Sequence, residues 1–295
     1  MLTTMKAIVF LLLTFVFSWG ATLLGANAGL NTQPVAAKLI LTAMMAGPAL
    51  AALICTFAFE QKGRRVDALG LRFKPNWWWL WAFVIVVAIA AISVGVTAVA
   101  SPFGFSDPAP NYVAVVVQQL SPEKAAEVRA VPLPLIDLGL AINVLIGAFI
   151  NAVILTFTEE LGWRGYLYAL WRPSGFWRSA LATGFIWGVW HAPAIYLYGL
   201  NYEGHREIGI PIFVAYCTLL GPLMALIRDR GGSTWAAGIA HGTINALGGV
   251  TILCLANPAF PWMGIVGIGG FVALALALVG VNAARRGLAP AATGA

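Results

Sequence analysis

The stretch LGLAINVLIGAFINAVILTFTEELGWRG, residues 138–165, decides how the chain is read. Residues 138–158, twenty-one in all, carry no charge, and about 20 apolar residues suffice for a helix to cross the hydrocarbon core of a bilayer. Two carboxylates and an arginine, Glu159, Glu160 and Arg164, then fall within six positions. The first part predicts a membrane helix. The second raises the question of what a greasy span does with three charges at its end.

Working outward, seven more apolar runs reach a similar length, at approximately residues 7–25, 39–59, 77–100, 179–199, 208–227, 233–256 and 262–284, and none contains Asp, Glu, Lys or Arg. Hydrophobic residues make up 60% of the 295 and charged residues 9%, against about half and a quarter in soluble domains. The expected fold class is therefore all-α, a polytopic membrane protein with about eight transmembrane helices. No internal boundary divides it. It reads as a single integral membrane domain over residues 1–295, with a motif-bearing core at about 138–256. The first run also resembles a secretory signal, since Lys6 precedes it and ANA at 26–28 looks like a cleavage site. We read it instead as a retained span.

The net charge of +6 does not form a basic stripe, so no nucleic-acid partner is expected; the charge sits at the ends of apolar runs and reports topology. With eight spans and the amino terminus inside, thirteen of the seventeen Lys and Arg fall on inside segments, which predicts both termini in the cytoplasm. Residues 101–137 form a proline-rich outside connection, with a short helix expected near residues 121–129, where SPEK offers a cap. The basic connection 60–76 runs into NWWW, an interfacial anchor. Cys55, Cys217 and Cys254 each lie in an apolar run without metal-like spacing, and read as small lipid- or core-facing residues.

Ionisable groups at membrane depth are costly, so each is a functional candidate. Glu160 and Arg164 are four apart and pair on a helix, a role that serves structure as readily as chemistry. Glu159 then faces elsewhere. His191, in FIWGVWHAP, has Trp187 one turn earlier on the same face, and Pro193 frees a nearby backbone carbonyl. His241 and Asn245, in HGTIN, share a face, with Gly238 and Gly242 small enough to admit a neighbouring helix. A buried histidine or a polar pair of this kind also occurs as plain helix glue; the combination carries more weight than any member.

Together these residues contain what amide hydrolysis needs. A carboxylate and an imidazole take a proton from water, while a second imidazole and a carboxamide donate to the developing oxyanion. Alternatively, Glu159, His191 and His241 hold a zinc ion with an open position for water. Both mechanisms fit the residue types, and no HExxH motif is present; a metalloprotease working near the cytoplasmic membrane face is the expected form, since two histidines and a carboxylate on separate helices are costly to keep in lipid without a cation to compensate the charge.

EELGWR, FIWGVWH and HGTIN, in that order on separate helices, resemble the signature of the CAAX-protease and bacteriocin-processing family of intramembrane peptidases. Glu159, Glu160 and Arg164 match its Glu-Glu-x-x-x-Arg motif, Trp187 and His191 its aromatic-x-x-x-His, and His241 and Asn245 its His-x-x-x-Asn. Trp187 stands where the family often has phenylalanine. The resemblance spans roughly residues 150–250 and implies proteolysis of a peptide or of a prenylated or membrane-associated protein, with the first glutamate and both histidines central and a metal possible. Competing readings are an idle scaffold or a bacteriocin self-immunity protein using the same cavity, and an ion-coupled transporter. One difficulty concerns depth. His191 lies about 12 residues, or about 18 Å, into the fifth run, yet Glu159 ends the fourth. Either the fourth helix tilts, or the fifth begins outside the bilayer with residues 176–183 projecting; we favour the second.

Overall fold

The computed structural model describes residues 2–100 and 104–288. Pro102 of the proline-rich connection and the terminal AATGA stretch lie outside these residues. Among the described residues there is no strand, only an isolated bridge between Phe105 and Leu255. The chain is an all-α, multi-pass membrane protein.

Among the described residues, six helices are long and apolar enough to cross a membrane. They are α1 (Leu2–Asn27), α2 (Pro34–Phe59), α4 (Trp77–Val99), the continuous helical stretch Leu133–Ser174, α11 (Arg206–Gly231) and α12 (Thr234–Leu253). The other two expected runs are shorter helices. The fifth is broken at His191 into α9 (Phe176–Trp190) and α10 (Ala192–Tyr198), and the eighth is the seventeen-residue α13 (Ile268–Ala284). The basic connection holds a 3-10 turn, Lys62–Arg64, and the four-residue α3 (Arg65–Ala68). The outside connection contains α5 (Pro108–Val117), which sequence reading missed, and the expected short helix as α6 (Pro122–Ala130). Ser121 stands at the N-cap of α6 as expected, but its side chain makes no capping bond.

The stretch Leu133–Ser174 departs from expectation. It runs as α7 (Leu133–Leu155), then as a π-helix over Thr156–Leu167, then as the short α8 (Tyr168–Trp171). The fourth span thus does not end at its glutamates; it continues past them to a turn at Gly175, whose φ of 109° favours glycine. This resolves the depth difficulty. Gly175 is sixteen positions after Glu159 and sixteen before His191, so folding the chain back at Gly175 brings the two motifs level.

Backbone-to-backbone contacts fix the packing. A Cβ on Gly162 would lie 2.6 Å from the Pro48 carbonyl oxygen, and one on Gly165 would lie 2.5 Å from that of Leu69. The π-helix is thereby seated against α2 and the loop after α3. Pro48, inside α2, lacks the N–H that would bond the Met44 carbonyl; Ser18 of α1 donates its hydroxyl there instead, at 2.8 Å. On the other side, Gly238 and Gly242 of α12 meet Ala148, Ala152 and Thr156 of α7 and the π-helix. These are the small-residue positions that the sequence marked for close helix approach. Cys55 and Cys217 are buried in the core and all three cysteines are free.

Candidate active site

Between these helices lies a cavity of about 520 Å³ lined by Glu159, Trp187, His191, His241 and Asn245. Three separate elements deliver them: the π-helix, the α9–α10 break and α12. Of the six residues singled out in the sequence, four reach the cavity wall. Glu160 and Arg164 lie behind it, fully enclosed by protein.

The π-helical stretch carries the first motif. π-helical geometry inside α-helices occurs mostly as single-turn bulges, often at functional sites; here it extends over twelve residues and turns Glu159, Glu160 and Arg164 all inward. Arg164 Nη1 donates to Glu160 Oε1 at 2.9 Å, the pair expected from their spacing. Sequence reasoning did not foresee that the same oxygen also binds His241 Nδ1 at 2.9 Å, eighty-one positions away. Removing one partner of such a buried pair strands a charge, at a cost of about 3–5 kcal/mol.

The helix break explains His191. In an unbroken α-helix the Trp187 carbonyl would accept the backbone N–H of residue 191. Here that N–H turns to Gly188 O at 3.1 Å, and the Trp187 carbonyl meets His191 Nδ1 at 2.8 Å. Pro193, in the first turn of α10, helps stop the helix. A carbonyl only accepts, so Nδ1 carries the proton and Nε2 the lone pair. The same logic applies to His241. Glu160, held by Arg164, is an acceptor, so His241 Nδ1 is the donor and its Nε2 is left for other work.

Trp187 completes the group. Its indole Nε1 donates to Glu159 Oε2 at 2.9 Å, and the Arg164 guanidinium lies 4.2 Å from the centre of its ring. Asn245, one turn beyond His241 on α12, also lines the cavity. The rest of the wall is largely apolar, with Met44 and Met45 from α2, Phe213 and Tyr216 from α11, and residues 263–266 before α13. Nothing in the sequence marked these, because an apolar residue in an apolar run carries no signal of which cavity it faces.

Both histidines hold one ring nitrogen on a carbonyl or carboxylate, an arrangement that also suits metal ligands. Among the described residues no three His, Cys, Asp or Glu side chains come together as a group able to hold a metal.

Residues 141–247 match the family model described as type II CAAX prenyl endopeptidase Rce1-like. The matched segment contains all six candidate residues, and it bears out the resemblance read from the motifs. No curated protein matches the chain.

Proposed function

We infer that this chain, whose motif-bearing core at residues 141–247 is that of the Rce1-like type II CAAX prenyl endopeptidase family, is an intramembrane endopeptidase that hydrolyses a peptide bond in a membrane-associated peptide or protein. The observation that carries the reading is the convergence of Glu159, His191, His241 and Asn245 on one cavity. A scaffold or immunity protein would have no need to bring two acceptors and two donors to a single wall.

In the mechanism we propose, water gives one hydrogen bond to Glu159 and one to the Nε2 lone pair of His191. Its oxygen is then left facing the substrate carbonyl. Glu159 takes a proton as the oxygen attacks, and passes it to the nitrogen as the C–N bond breaks, giving a free carboxyl and a free amine. Asn245 donates its carboxamide N–H to the oxyanion, and His241 donates from Nε2. For that donation His241 carries a second proton, and Glu160 at Nδ1 supports the cation. The two carboxylates, Arg164 and the His241 cation then sum to zero charge, the arrangement that a dry site favours. These residues suffice for the reaction without a metal.

In this reading cleavage takes place near the cytoplasmic face of the membrane, and the positive-inside bias of the sequence supports both ends of the chain lying in the cytoplasm. The test uses purified protein in detergent with a panel of quenched fluorescent peptides, some carrying a lipid tail. Cleavage that persists after exhaustive chelation, and that Glu159→Ala or His191→Ala abolishes, is the expected outcome. A stoichiometric metal removed together with activity would replace this mechanism with a metal-dependent one. An active His191→Ala variant would remove the site altogether.

A further inference from the structure

Trp187 touches Glu159, Arg164 and both imidazoles of the site. Besides the indole bond to Glu159 Oε2, its ring lies edge-on to His241 with centroids 5.1 Å apart and to His191 at 5.6 Å. The Arg164 guanidinium covers its face, and its own carbonyl fixes His191. The residue is buried. Ring packing and the carbonyl bond are available to any aromatic residue at this position. The N–H is not, because phenylalanine has the edge and the face but no donor.

The need for that donor follows from the neighbours. Glu160 is held by Arg164 and His241, but among the described residues no cation pairs with Glu159. A glutamate side chain has three rotatable torsions, and an active group must be held within about 0.5 Å of its productive position. The indole N–H is a hydrogen bond to Glu159 from a rigid ring, itself clamped by Arg164 and two imidazoles. We propose that Trp187 is a positioning residue acting through its indole N–H: by occupying Oε2 of Glu159 it fixes the carboxylate and makes Oε1 the oxygen that takes the proton from water. This rests on the reading of Glu159 as the base.

The experiment compares wild type, Glu159→Gln, Trp187→Phe, and a protein with β-(3-benzothienyl)alanine at position 187 introduced by amber suppression. Benzothienylalanine keeps the bicyclic shape and replaces the N–H by sulfur, so it tests the donor even where phenylalanine disturbs the fold. The readout is kcat and KM separately, on whichever panel peptide the wild type cleaves. Both position-187 proteins are expected to lose kcat by about 10-fold to 100-fold, the range for partners that orient active groups, with KM within about 3-fold of wild type. Wild-type kcat in the benzothienylalanine protein, or a change confined to KM, overturns the inference while an inactive Glu159→Gln leaves the function intact. Full activity in Glu159→Gln, or no cleavage of any peptide by wild type, overturns the functional reading and this inference with it.

Discussion

Gly242→Ala is a one-methyl change next to His241 whose effect can be worked from the structure. The added Cβ would lie 2.7 Å from the Ala148 carbonyl oxygen and 2.8 Å from Ala152 Cα, with the Ala152 nitrogen closer still. All three are main-chain atoms of α7 and have no rotamer by which to give way. Ordinary contact begins near 3.4 Å, so α12 must retreat from α7 by about 0.7 Å or more. His241 is the preceding residue and moves with it, stretching its 2.9 Å bond to Glu160 to about 3.6 Å, past the range of a hydrogen bond. Overpacking of this kind costs about 1–3 kcal/mol, and a displacement approaching 1 Å at a reacting group costs on the order of 100-fold in rate. The assay is peptide cleavage alongside thermal unfolding in the same detergent. Gly147→Ala on α7 is the control, because its Cβ would meet only Ala246 Cβ at 3.6 Å. Gly242→Ala with wild-type rate and melting temperature would refute the argument that helix approach sets the His241–Glu160 bond.

Arg164→Lys keeps the charge but loses the planar fork and the stack on Trp187; it should fold and lose activity on the order of 10-fold, and a fully active variant would remove the clamp from the account. Asn245→Ala should lower kcat on the order of 100-fold through loss of an oxyanion donor while leaving unfolding unchanged, and a variant with normal kcat would take Asn245 out of the oxyanion site. Reporter fusions at the carboxyl terminus and within residues 104–137 should report opposite sides of the membrane, with the terminus cytoplasmic; both on one side would overturn the topology.

The spans were legible because an uncharged run of twenty residues has few alternatives. The Glu160–Arg164 pair and the Gly238–Gly242 seam were legible because helical spacing puts four-apart residues on one face. The hairpin that levels Glu159 with His191 was not, since nothing in TEELGWRG announces π geometry and the charges read as the end of a span. The second bond of Glu160, to His241, joins positions eighty-one apart, and local periodicity is blind to it. The residue types alone admit both a zinc set and a metal-free site for a related reason: the side-chain directions that choose between them come from partners such as the Trp187 indole.

The Ser18 hydroxyl on the Met44 carbonyl has a consequence for how such a protein diversifies. Residues 141–247 bring the motif residues, but Met44 and Met45 of the cavity wall and the Pro48 seat for Gly162 come from α2, outside that segment, and Ser18 of α1 bonds α2 at Met44. On the proposed function, part of what selects a substrate is therefore written outside the segment that carries the motifs. Exchanging side chains along α2 can remodel what the chamber admits while the motif residues stay in place. Ser18→Ala is the smallest step along that route, since it removes the bond to the Met44 carbonyl and leaves the motifs untouched.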